Sequence, residues 1–177
     1  MSYLLESLGR GLLGRLADAF DRQLAIDDAD PDQLIAQQKY ASTSVDLAIR
    51  VGAAFLREMR LGDARGAFER ALALPGAVHR AHLGLACTYH ELGDVEQTLR
   101  YLNRAQDADR SDPAIAFGLG FVHERKGEAA DAVRWYERST ELCPRLRNGH
   151  ERLAALAIRA GRWSDAIDKV TAHFDPL

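Results

Sequence analysis

Two stretches of equal length decide the fold when they are laid over each other. Residues 79–112 read HRAHLGLACTYHELGDVEQTLRYLNRAQDADRSD, and residues 113–146 read PAIAFGLGFVHERKGEAADAVRWYERSTELCPRL. In matching places stand Leu85 and Leu119, Ala86 and Gly120, Gly93 and Gly127, Leu102 and Tyr136, Ala105 and Ser139. The same step carries the pattern outward in both directions. It gives Val51, Leu85, Leu119 and Leu153 in one row and the small residues Gly52, Ala86, Gly120 and Ala154 in the next. Further rows are Ala64, Thr98, Ala132, Ala166, then Phe68, Leu102, Tyr136, Val170. A fixed period of roughly 34 residues marks a stack of supersecondary units.

The order of small and large residues resembles the tetratricopeptide repeat, and that resemblance implies two antiparallel helices per unit, A and B. A small side chain at Gly52, Ala86, Gly120 or Ala154 lets helix B approach helix A closely, and the larger residues fill the space between. Gly93, Gly127 and Gly161 share one phase and suit the left-handed position that ends helix A. In the first unit Met59 stands in that slot. Asp94 is placed to N-cap a B helix. Asp112-Pro113 and Asp30-Pro31 each read as an N-cap followed by proline at the first helical position.

This pattern resembles the tetratricopeptide repeat (TPR) family. The resemblance spans repeats at 45–78, 79–112, 113–146 and a partial 147–177, about three quarters of the chain. It implies an all-α, right-handed superhelix of stacked helix pairs, preceded by an N-terminal helical extension or cap over 1–44. It also implies that helix A lines a concave groove. Carried over by register, the groove positions are Ile49, Leu83, Phe117 and Glu151, then Ala53, Cys87, Phe121 and Ala155, then Leu56, His90, Glu124 and Ile158. Most are apolar. Phe117 and Phe121 lie four apart and share one helix face. Bare in a groove they call for an occupant, since burying a Phe is worth about 1.5–3 kcal/mol. Such an occupant is an amphipathic helix or an apolar peptide. The alternative is that the two rings are plain core.

One TPR class grips acidic C-terminal peptides with a clamp of Lys, Asn and Arg. The matching positions here hold Ile49, Ala53, Ala114 and Gly118, so the resemblance does not extend to that function. The basic side chains Arg50, Arg57, Arg80, Arg125 and Arg152 on A segments are read as solvated surface, available to an acidic flank of a partner.

Residues 2–28 lie before the repeats. Leu5, Leu8, Leu12, Leu16 and Phe20 recur at helical spacing on one face, with Glu6, Arg10, Asp18 and Asp21 opposite. Gly9, Gly11 and Gly14 each cost about 1 kcal/mol within a helix, so this helix must dock on something. Four docks are open: a cap on the first repeat, the apolar groove in cis or from a neighbouring chain, self-pairing, or a membrane surface. Three arginines against Glu6, Asp18 and Asp21 leave no basic face for anionic lipid, which argues against the last. Residues 31–43 read as a second helix.

Composition bounds the rest. The chain has 177 residues with 47% hydrophobic and 28% charged side chains and a net charge of −3, a globular mix. No cationic surplus is present to track phosphates, so nucleic acid is not expected. No apolar run approaches the roughly 20 residues of a membrane span, and the start lacks a secretory-signal pattern. A cytoplasmic protein is expected. Cys87 and Cys143 have no metal or redox spacing, and His79 with His82 lacks a third ligand. No catalytic motif appears, so neither an active site nor a cofactor or metal is expected. The function implied is a non-enzymatic interaction scaffold that binds an apolar or helical segment of another protein. Two alternatives are a secretion-type TPR chaperone for a hydrophobic client and an interaction domain cut from a larger, even enzymatic, protein.

Overall fold

The computed structural model describes residues 32, 33, 35, 36, 44–76 and 78–174. Residues 32, 33, 35 and 36 are helical, within the segment expected to form a second helix. The expected helix of Leu5, Leu8, Leu12, Leu16 and Phe20, with the Asp30-Pro31 cap, lies outside the described residues. From Val45 onward eight helices follow: α1 Val45–Arg57, α2 Leu61–Leu72, α3 Val78–Glu91, α4 Val95–Ala108, α5 Pro113–Arg125, α6 Ala129–Leu142, α7 Arg147–Arg159 and α8 Trp163–Phe174. Odd-numbered helices are the A helices and even-numbered ones the B helices. All four A helices end, and all four B helices begin, one sequence period apart.

The A-to-B turn is the same turn four times. In each, a backbone N–H reaches back five residues: Arg60 to Phe55, Asp94 to Tyr89, Glu128 to His123 and Arg162 to Ala157, at 2.9, 3.0, 2.9 and 2.9 Å. This closure requires a left-handed residue just before the donor. Gly93, Gly127 and Gly161 supply it with φ of 77°, 80° and 72°, and Met59 takes the same conformation at φ 58°. Asp94 Oδ1 accepts from Gln97 N–H at 2.9 Å. Asp112 Oδ1 accepts from Ala114 N–H at 2.8 Å, ahead of Pro113 in the first turn. Both caps are the ones the sequence predicts.

The chain divides into two compact units, Met1–Ala105 and Gln106–Leu177. In the first, Phe68 of α2 is fully buried and its ring lies against two glycines. A Cβ at Gly52 would stand 2.8 Å from that ring and one at Gly84 2.3 Å, so the small residues of α1 and α3 are what admit it. Tyr101 of α4 stacks on Tyr89 of α3 at 5.3 Å, and His82 lies 5.9 Å from the same ring. Asp46 of α1 and Arg80 of α3, one period apart, pair at 2.8 Å.

In the second unit Tyr136 of α6 takes the place Phe68 has in the first. It is fully buried, and a Cβ at Gly120 would stand 2.7 Å from its ring. Gly149 does the same service between α6 and α7, where a Cβ would meet Thr140 at 2.6 Å. Helix α5 is buried along nine consecutive residues, from Ala114 to Val122.

Candidate interaction surface

The A-helix positions expected to line an open groove divide into two kinds. Ile49, Ala53, Leu83, Phe117 and Phe121 are buried, with exposures of 0, 2, 1, 4 and 7%. The expectation that Phe117 and Phe121 stand bare is therefore corrected. The physical reason in the second unit is local. Phe117 lies against Tyr136 with ring centroids 5.3 Å apart, and the Arg152 guanidinium stands 5.7 Å from the Phe121 ring. The close approach that Gly120 permits brings Tyr136 over the face of α5 that carries Phe117.

The accessible A-helix positions lie nearer the helix ends. In the first unit Leu56, Cys87 and His90 are half-buried. In the second unit Glu124 and Ala155 are half-buried, and Ile158 is 45% exposed.

Glu124 is the most connected side chain of the second unit's A-helix face. The Tyr136 hydroxyl donates to its Oε2 at 2.8 Å. Arg152 Nη1 lies 3.6 Å from Oε1, and Arg159 donates to the same oxygen. Burial, and then the Glu124 charge and hydrogen bond, push the Tyr136 phenol above its usual range. Arg152 is thus no solvated surface residue: it is held between Glu124 and the Phe121 ring. Neither Tyr136 nor Arg159 was among the expected site residues. The available signal was opposite charge about one repeat apart, since Glu124 and Arg159 are separated by 35 residues.

Cys87 is half-buried, and burial, helped by the Glu91 charge, pushes its thiol up to about 12. At neutral pH it is a thiol and not a nucleophile. Burial, with the Arg104 charge adding to it, pushes the His82 imidazole below its usual range.

One further cluster, at the turn between α5 and α6, brings ligating atoms of His123, Glu128 and Asp131 within 4.8 Å of one another. His123 Nδ1 lies 2.6 Å from Glu128 Oε2, Lys126 Nζ lies 2.7 Å from Glu128 Oε1, and Arg134 donates to Asp131. Lys126, and then His123, hold the Glu128 carboxyl below the usual range, and Arg134 does so for Asp131. Lys126 and Arg134 each neutralise one of the two carboxylates, so the group is a charge-paired turn.

A cleft of about 470 Å³ also opens in the second unit. Its apolar floor is Val133, Leu153 and Ala157. Five charged side chains line it: Lys169 pairs with Glu137 at 3.4 Å and Arg162 with Asp165 at 3.2 Å, and Asp168 is the fifth. No helix among the described residues is long and apolar enough to cross a membrane.

Comparison with known proteins bears on the fold and the family. A family model described as tetratricopeptide repeat matches residues 52–113 and 84–146, together more than half of the chain. No curated protein matches the chain by sequence. Among solved structures, MamA 41-end from Desulfovibrio magneticus RS-1 is similar at 14% identity and a TM-score of 0.68, over 93% of this chain and 92% of that one. PilF of Pseudomonas aeruginosa is similar at 18% identity and a TM-score of 0.75, over 92% and 77%. Cut9, in the APC/C hetero-tetramer Cut9-Hcn1, is similar at 17% identity and a TM-score of 0.72, over 81% of this chain and 29% of that one. At these identities the likeness is one of fold.

Proposed function

The chain belongs to the tetratricopeptide repeat family, and on that premise we propose that it is a non-enzymatic scaffold whose A-helix face takes an apolar or helical segment of another protein. A protein–protein interaction scaffold is the general role of this fold. The finer reading rests on one observation above all. In the second unit Ile158 is 45% exposed on α7, next in sequence to Arg159, which pairs with Glu124. An exposed apolar side chain beside a charged one is the chemistry that meets one face of an amphipathic helix. Because the Phe117 and Phe121 rings are already buried, the accessible contacts in the second unit are Ile158 and Arg159. A partner's apolar residue packs on Ile158, and an acidic residue competes with Glu124 for Arg159.

Selection from a displayed library of random peptides, with the whole chain as bait, tests this. The reading expects helix-forming peptides with an apolar stripe and at least one acidic flank. Their binding should weaken about tenfold or more, a loss of about 1.4 kcal/mol, in the Ile158→Glu variant. It should be unchanged in Arg138→Glu on the B helix α6. Peptides that ignore the A-helix change would overturn it.

A further inference from the structure

Three A helices carry a ring at one place in the repeat, and the fourth carries a methyl group. Phe55, Tyr89 and His123 are followed in that row by Ala157. Each ring meets a partner from the turn or the B helix. The Arg60 guanidinium stands 4.3 Å from the Phe55 ring, Tyr101 stacks on Tyr89 at 5.3 Å, and the Glu128 carboxylate meets His123 at 2.6 Å. In the fourth repeat the place of Arg60 and Glu128 is held by Arg162, and that of Tyr101 by Lys169. Ala157, Arg162 and Lys169 all line the 470 Å³ cleft of the second unit, with Val133 and Leu153. The cleft thus lies where the other repeats put a ring.

The first repeat shows how a ring is held there. The N–H of Arg60 reaches Phe55, and that of Arg162 reaches Ala157, each at 2.9 Å. A left-handed residue precedes both arginines, Met59 at φ 58° and Gly161 at φ 72°. Arg60 pairs with Asp63 at 2.8 Å as Arg162 does with Asp165 at 3.2 Å. A ring on Ala157 would therefore meet a guanidinium already set to attract its face. Charge selects the rest of the ligand. Glu137, Asp165 and Asp168 line the cleft against Arg162 and Lys169. Both cations are matched, Lys169 by Glu137 and Arg162 by Asp165, so Asp168 is the surplus charge. The volume falls within the roughly 300–1,000 Å³ of small-molecule sites. We infer that this cleft binds a small aromatic amine, with its ring on Val133, Leu153 and Ala157 beside Arg162 and its ammonium group at Asp168. The site shares no residue with the A-helix surface proposed above and does not depend on that reading.

Phenethylamine is the probe, titrated into the full chain and followed by amide chemical shifts. Saturable changes should concentrate at Ala157, Arg162 and residues 165–169. Hydrocinnamate keeps the ring with the opposite charge, and hexylamine keeps the ammonium without the ring. Each should bind about threefold or more weaker. Ala157→Phe supplies the ring from the chain itself, so it should raise the melting temperature and abolish the probe's shifts. Asp168→Asn, at an exposed position, should weaken phenethylamine about threefold and leave the binding of uncharged benzyl alcohol unchanged. Absence of shifts at the cleft, or hexylamine binding as well as phenethylamine, overturns the inference. So does a lower melting temperature for Ala157→Phe, which would mean that no ring fits there. A peptide with adjacent Phe and Lys that binds the cleft where the free amine does not would also overturn it, giving the site to a partner's side chain.

Discussion

Met59 occupies a backbone conformation made for glycine, and the cost can be weighed. A left-handed L-residue is disfavoured by roughly 1–2 kcal/mol, while glycine costs about 0.5–1 kcal/mol more entropy on folding. The strain is the larger of the two. The side chain is 58% exposed, so little packing is lost with it. Met59→Gly should therefore stabilise the protein by about 0.5–1 kcal/mol, read as a higher midpoint in urea with an unchanged slope. The sequence already singled this residue out as the break in the row of Gly93, Gly127 and Gly161. The fact that the backbone keeps the turn and strains Met59 to do so appears only in its φ of 58°. Tyr136 is the other residue whose chemistry is specific. Its hydroxyl bonds the Glu124 carboxylate at 2.8 Å, and a hydrogen bond to a charged group is worth about 1.5–3 kcal/mol. Tyr136→Phe should lower stability by about that much. The folded phenol titrates above its unfolded value of about 10. Its contribution is thus complete below about pH 10 and is lost as pH rises through the folded value. Stability measured from about pH 8 to 11 should fall less steeply in the Phe variant than in the wild type.

At the scale of the helix, close approach decides. Helix α5 admits Tyr136 because Gly120 has no side chain, and a Cβ there would stand 2.7 Å from the ring. Gly120→Leu adds four carbons where one does not fit, and overpacking costs typically about 1–3 kcal/mol or more. Thermal melting of that variant should show a large loss, whereas Gly127→Ala, at an open turn position with φ 80°, should show the smaller penalty of left-handed strain. The helices themselves were legible because one fixed period repeats both the small residues and the turn glycines. Asp94 and Asp112 were legible as caps because capping is a local affair of two or three residues. The exposure of Phe117 and Phe121 was not. Register tells which face of α5 they share, but not that this face is covered. Their burial depends on Tyr136 from α6 and Arg152 from α7, contacts that periodicity along one helix does not encode. For the same reason Phe117→Arg is expected to lower the melting temperature, as a charge forced into the core does, and is not a clean probe of binding.

For the whole molecule, the two units each hold the same device: an aromatic B-helix side chain, Phe68 or Tyr136, lying against glycines of A helices. The A helices are thereby set by the packing, and their accessible residues become available to a partner. Ile158 and Arg159 of the second unit are the side chains proposed for that role. The most direct test is hydrogen–deuterium exchange of the full chain with and without a selected peptide. Added protection should fall in the C-terminal halves of the second unit's A helices, around 120–125 and 154–159, with α6 unchanged. Protection confined to the B helices, with the A helices exchanging as before, would contradict the assignment of the binding surface.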